Sequence, residues 1–163
     1  EWGVDPSRIA VCGFSAGGHL AASLGVHFET AGSQTADDLD ALSARPDALV
    51  LGYPVITAGQ HTHGGSLRNL LGENPSPEAL RLASVELHVT RSTPPAFLWH
   101  TADDPGVPVE NSLAFASALR GAGVPFELHV YPSGPHGLGL APAHPHVATW
   151  AELCCEWLAG MGW

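Results

Sequence analysis

The stretch Asp5-Pro6-Ser7-Arg8-Ile9-Ala10-Val11-Cys12-Gly13-Phe14-Ser15-Ala16-Gly17-Gly18-His19-Leu20 decides the fold. Arg8 to Cys12 is a short apolar run after the turn Asp5-Pro6-Ser7 and reads as a buried strand. Gly18 to His27 holds helix formers and small residues, which suits a helix packed closely on a sheet. Between them stands the pattern G-x-S-x-G, Gly13 to Gly17. A chain passing at once from strand to helix holds Ser15 on a sharp, strained turn. Neighbours two positions away must then be small to avoid colliding with it. The hydroxyl stands exposed near the positive end of the helix dipole, and the N–H of Ala16 can point at a developing oxyanion. The plain alternative is a small-residue turn that only lets the helix approach the strand.

The same alternation runs outward from this stretch. Asp47 to Tyr53 is a second buried strand, stopped by Pro54; Pro95 to His100 is a third and Phe126 to Tyr131 a fourth. Ser76-Pro77-Glu78 starts a helix, with a capping Ser, Pro at the first helical position and an acid in the first turn. Val109 to Ala122 is an amphipathic helix ended by Gly121 and Gly123, with Leu113, Ala116 and Leu119, or Ala114, Ala118 and Leu119, facing inward. His146 to Ala159 is the last helix, with Val147, Trp150, Leu153, Cys154, Trp157 and Leu158 at helical spacing. Thr30 to Ala44 reads as a polar surface connection with a short helix, and Thr57 to Gly65 as a loop. Strands separated by helices predict an α/β fold, a three-layer sandwich with a mostly parallel sheet. Ligands bind such sheets beyond the carboxyl ends of the strands, so the residues after each strand are the candidates for chemistry.

After the third strand come Asp103 and Asp104, two acids on one loop; after the fourth comes His136, between Pro135 and Gly137. With Ser15 after the first strand, the chain order is Ser15, Asp104, His136, that is, nucleophile, acid, base. Tyr53 and Pro54 after the second strand, and Leu138 beside His136, are candidates to line a substrate pocket. Asp103 reads as a solvated neighbour, and His100 as a side chain packed at its strand end.

Composition narrows the function classes. The chain has 163 residues, 45% hydrophobic and 13% charged, with 16 acids against 6 bases and a formal net charge of −10. Length predicts one domain over residues 1–163. A chain with so few cations cannot neutralise many phosphates, so neither nucleic acid nor an anionic membrane surface is expected as a partner. No apolar run approaches the ~20 residues of a membrane span. Three cysteines, Cys12, Cys154 and Cys155, form no disulfide framework; read as buried reduced thiols, they predict a cytoplasmic protein. There is no G-x-G-x-x-G after a strand and no P-loop for a nucleotide. His61-x-His63 and His144-x-His146 come without H-E-x-x-H or C-x-x-C, so no metal and no organic cofactor are expected.

These residues together resemble the α/β-hydrolase superfamily, and most of all its bacterial acetyl-esterase and xylan-esterase-like branch, related to the catalytic domain of prolyl oligopeptidases. The resemblance rests on Asp5 to Leu20, Arg45-Pro46-Asp47, Tyr53-Pro54-Val55, Thr93-Pro94-Pro95 through Asn111-Ser112, and Gly134-Pro135-His136-Gly137-Leu138-Gly139, nearly the whole chain. In the family the acid lies four residues after a strand-end His and three before Val-Pro. Here that spacing runs from His100 to Val107-Pro108 and selects Asp104 over Asp103. The resemblance implies hydrolysis of a short-chain, acetyl-type ester, on sugars such as xylo-oligosaccharides, through Ser15, His136 and Asp104. It starts in the family's middle: the N-terminal strands, and the His-Gly-Gly loop that supplies the second oxyanion donor, have no counterpart here. His63-Gly64-Gly65 matches that loop only as a tripeptide and lies on the wrong side of Ser15. The expectation is therefore a partial α/β-hydrolase fold, the C-terminal part, whose first strand has an unpaired edge suited to homo-oligomer formation or aggregation. Two other functions stay open at this point: a non-catalytic remnant or self-associating module, and a serine peptidase of prolyl oligopeptidase type.

Overall fold

The computed structural model describes residues 3–29 and 42–163. The connection expected over residues 30–44 lies almost wholly outside the described residues. The chain runs β1 (Ala10–Phe14), α1 (Ala16–His27), β2 (Ala48–Gly52), α2 (Gly64–Leu71), α3 (Pro77–Ala83), a 3-10 turn (Val85–His88), β3 (Ala96–Thr101), α4 (Glu110–Ala122), β4 (Phe126–Tyr131), α5 (Pro145–Ala148) and α6 (Trp150–Gly160).

The four strands form one parallel sheet in the order β1-β2-β3-β4. Every carboxyl end therefore lies along the same rim, which is what brings distant loops together. Side chains alternate across the sheet as the pleat demands. Leu49, Leu51, Ala96 and Leu98 face one core, shared with Ala21 and Ala22 of α1 and Phe115 and Leu119 of α4. Val50, Phe97 and Trp99 face the other, shared with Val147, Trp150 and Cys154 of the last two helices. The result is the three-layer sandwich expected. Buried on both faces, β2 and β3 read as continuous apolar runs.

Helix α1 sits close to the sheet because its inner face is small. A Cβ on Gly25 would lie 2.6 Å from Leu49 Cδ1, and one on Gly18 2.6 Å from Pro54 Cβ. Four details differ from the expectations. Helix α2 starts at Gly64 inside what reads as a loop, because His63 caps it: His63 Nδ1 accepts from Ser66 N–H at 3.2 Å. On α4, Leu113 is exposed, and the inward face is Asn111, Ser112, Phe115, Ala116 and Leu119. The last helix breaks at Thr149, whose hydroxyl donates to the His146 carbonyl at 2.7 Å; Val147, Trp150 and Cys154 are buried, and Leu153, Trp157 and Leu158 only partly. Of the cysteines only Cys154 is buried, where burial pushes its thiol up to about 11. Cys12 and Cys155 are exposed, Cys12 because β1 forms one edge of the sheet among the described residues and its flank is open. No helix among the described residues is long and apolar enough to cross a membrane.

Candidate active site

Ser15 stands between β1 and α1 at φ 54° and ψ −123°, a left-handed backbone that a non-glycine residue rarely adopts. The turn survives because neighbouring backbone ties it on both sides. Ser15 N–H donates to the Gly52 carbonyl at 3.0 Å, and the Ser15 carbonyl accepts from the N–H groups of Gly18 and Val55, each at 3.0 Å. A Cβ on Gly13 would collide with the Gly17 carbonyl, so glycine is required there. A Cβ on Gly17 would meet nothing within 4 Å, so the crowding expected on both sides of Ser15 applies at Gly13 only. Ala16 is the first residue of α1, so its N–H has no carbonyl partner within the helix.

The three candidate chain segments meet at the rim. His136 Nε2 lies 2.8 Å from Ser15 Oγ, across 121 residues of sequence. On its other side His136 Nδ1 lies 2.7 Å from Asp104 Oδ2. An ionised carboxylate only accepts, so Nδ1 carries the proton and the bare Nε2 accepts from the Ser15 hydroxyl. The other oxygen of Asp104 accepts from Gly106 N–H at 2.7 Å and Val107 N–H at 2.9 Å. Burial opposes ionisation of this side chain, which is 1% exposed. The hydrogen bonds from His136, Val107 and Gly106 outweigh it and hold the Asp104 carboxyl below its ordinary value.

The loops carrying these groups are braced by residues whose part the sequence leaves unread. His100 is fully buried. Its Nε2–H donates to the Val107 carbonyl at 2.9 Å and its Nδ1 accepts from the Ser112 hydroxyl at 2.7 Å. Burial pushes the ring below the ordinary histidine value, so it is neutral at pH 7. It thus spans the loop that presents Asp104, and its Nε2 stands 3.5 Å from Asp104 Oδ2. Asn111, also fully buried, accepts from Ile56 N–H at 2.8 Å and Thr57 N–H at 3.0 Å and donates to the His61 and Pro108 carbonyls. The sequence signals for Asn111 and Ser112 are their place at the end of the stretch that carries the family resemblance and their helical spacing from Phe115 and Leu119. Asp103 is exposed but more than a solvated neighbour: it accepts from the Ser133 hydroxyl at 2.7 Å and from Gly134 N–H at 2.8 Å, bracing the loop that leads to His136.

The candidate pocket residues have definite places. The Tyr53 ring lies edge-on to His136, centroids 4.9 Å apart, and its hydroxyl accepts from Gly139 N–H at 2.9 Å. Pro54 packs against Gly18, and Leu138 against the aromatic cluster below. A cleft of about 550 Å³ opens beside Ala16 and Val55; Tyr53, Pro54 and Leu138 lie outside its wall. His63, capping α2, is engaged with Ser66. Among the described residues no group of three or more His, Cys, Asp or Glu side chains gathers as a metal cage. A polarised hydroxyl, a base oriented by a carboxylate and a helix N-terminal N–H form together an arrangement suited to acyl transfer.

Comparison with known proteins identifies the fold to which this geometry belongs. Residues 1–119 match the BD-FAE family. An endo-1,4-beta-xylanase B of Butyrivibrio fibrisolvens is 46% identical over 141 residues, which cover 86% of this chain and 22% of that protein. An acetylxylan esterase of Xylanibacter ruminicola is 34% identical over 99% of this chain and 31% of its own length. Among solved structures, the acetyl ester-xyloside bifunctional hydrolase of Caldicellulosiruptor lactoaceticus superposes with a TM-score of 0.93 at 52% identity, covering 98% of this chain and 58% of that one. The carboxylesterase Cest-2923 of Lactobacillus plantarum superposes with a TM-score of 0.77 at 34% identity, covering 98% of this chain and 60% of that one. The sheet and helices are thus part of an α/β-hydrolase fold. The chain spans under a third of the length of these two curated relatives.

Proposed function

The chain belongs to the BD-FAE family, and from that premise we propose that it carries the reacting groups of a serine carboxylic-ester hydrolase: Ser15 as nucleophile, His136 as base and Asp104 as orienting acid. One observation carries the reading, the unbroken relay from Ser15 Oγ through the His136 ring to Asp104, at 2.8 and 2.7 Å, assembled from three different strand ends. Ser15 Oγ attacks the ester carbonyl carbon as its proton passes to His136 Nε2. Negative charge on the carbonyl oxygen meets the Ala16 N–H at the positive end of α1. The intermediate collapses, the bond to the alcohol oxygen breaks, and His136 returns the proton to that oxygen. Water then attacks the acyl-Ser15 ester and gives its proton to His136; the acid leaves and the proton returns to Ser15. Asp104 keeps the proton on Nδ1 and offsets the charge of the imidazolium. The names of the relatives, an acetylxylan esterase and an acetyl ester-xyloside hydrolase, support acetylated sugars as substrates.

The test is intact-mass labelling with a fluorophosphonate. A single adduct that Ser15→Ala abolishes is the expected result. No adduct on a folded chain, or an adduct that persists in Ser15→Ala, overturns the assignment.

A further inference from the structure

The cleft beside Ser15 has a composition at odds with a sugar. Its wall runs along α1 from Ala16 to His27 and is flanked by α2, α3 and the segment after β2. Leu20, Val55, Leu67, Leu70, Leu71 and Leu82 are among the residues that line it, and its wall is mostly apolar. Three of them, Leu20, Leu70 and Leu82, are 73%, 58% and 60% exposed, a concentration of bared leucines along one groove. Its polar side chains are engaged within the protein. His19 Nε2–H donates to the Ala83 carbonyl at 2.8 Å, and Ser23 lies 3.4 Å from the other His19 nitrogen. Thr57 accepts from Gly59 N–H, the Ser66 hydroxyl is bonded to His63, and the His27 ring packs on His88 with centroids 4.6 Å apart. A sugar needs hydrogen-bond partners that this wall already spends on itself.

Position identifies which half of an ester it takes. The cleft meets Ser15 through Ala16, the proposed oxyanion donor, and through Val55, whose N–H holds the Ser15 carbonyl. His136 and Leu138, on the strand-four loop, are not on its wall. The leaving oxygen must lie within reach of His136 Nε2, so the alcohol departs on the His136 side and the acyl group extends to the other.

We infer that this cleft is an acyl-chain site, shaped for a linear aliphatic acyl group of about four to eight carbons, longer than acetyl. The inference rests on the ester-hydrolase reading and departs from it in the acyl group, which the names of the relatives give as acetyl. A fully buried methylene is worth about a fourfold gain in kcat/KM, and one half-covered in an open groove about twofold. From acetyl to hexanoyl, four methylenes, the expected gain is roughly tenfold to twentyfold after correction for the intrinsic reactivity of each ester.

The experiment measures kcat/KM of the full chain on 4-nitrophenyl esters from acetyl to decanoyl, together with calorimetric binding of octanoate. Leu20→Asp puts a charge in the cleft from an exposed site in the first turns of α1, and Leu67→Trp fills it; circular dichroism checks that both fold. A hexanoyl-to-acetyl ratio near tenfold or above that both variants bring close to one supports the site. A flat chain-length profile overturns it and leaves the hydrolase reading standing. No turnover at any length, with octanoate binding that Leu20→Asp removes, supports the site and refutes the hydrolase reading. No turnover and no octanoate binding overturn both.

Discussion

Replacing Asp104 with Asn tests the orientation of His136 more sharply than removing the side chain. The two oxygens of Asp104 do different jobs: one accepts from Gly106 and Val107 N–H, the other from His136 Nδ1. In the Asp104→Asn variant the amide oxygen must stay toward the two backbone donors, since the reverse arrangement faces N–H against N–H twice. The amide NH₂ then faces His136 and forces Nδ1 to accept. The proton moves to Nε2, which donates to Ser15 Oγ where it previously accepted, and the base is switched off. A wrong tautomer of this kind costs about 10⁴ in kcat, roughly 5 kcal/mol of transition-state stabilisation. Asp103→Asn disturbs an exposed brace to Ser133 and Gly134 and leaves the relay untouched, so its loss is expected to stay within about tenfold. The assay is hydrolysis of 4-nitrophenyl acetate by both variants across pH 6 to 9. Equal losses at the two acids, or a loss below about tenfold in Asp104→Asn, would refute the relay as drawn.

Three further outcomes follow from the geometry. Ser15 at φ 54° holds strain of about 1 kcal/mol that glycine would not, so Ser15→Gly is expected to melt roughly 2–4 °C above Ser15→Ala by calorimetry; an equal or lower melting temperature removes the strain argument. Asn111→Leu leaves the Ile56 and Thr57 N–H groups unmet and is expected to cost about 3 kcal/mol, near 6–12 °C in melting temperature; a change under ~1 kcal/mol would show that Asn111 does not hold this loop. The Asp104 carboxyl titrates below its ordinary value of 3.8 in the folded protein, so its contribution to stability is present above that value and lost as pH falls through the folded one. Urea unfolding at pH 7 and pH 3 should therefore show the gap between the wild type and Asp104→Asn narrowing at pH 3, and a widening gap contradicts the shift.

Much of the architecture is local and therefore legible in the chain. Strands β2 and β3 are short apolar runs bounded by Pro and Gly, and a parallel sheet buried on both faces requires such runs. Ser76 and Pro77 announce α3, whose Ala79 N–H the Ser76 hydroxyl caps at 3.2 Å. Gly123 closes α4 in a left-handed turn. G-x-S-x-G between a strand and a helix marks the one place where a serine can be held out on a strained elbow. These features depend on residues within a few positions of one another, so spacing and side-chain size suffice to find them.

What spacing does not contain is which side chains meet. Ser15 and His136 touch because parallel strands deliver all their carboxyl ends to one rim, and contacts across 121 residues have no period. The different parts of Asp103 and Asp104 are set by the direction of one loop, pinned at Val107 by the buried His100. Asn111 and Ser112 belong to neither inward face expected of their helix and are buried, because loop carbonyls, loop amides and a histidine ring come to meet them there. The start of α2, set by a histidine cap, and the leucine-lined cleft beside Ser15 exist only once separate helices are placed side by side. Hydrophobic periodicity says which face of an element turns inward; only packing decides what that face finds.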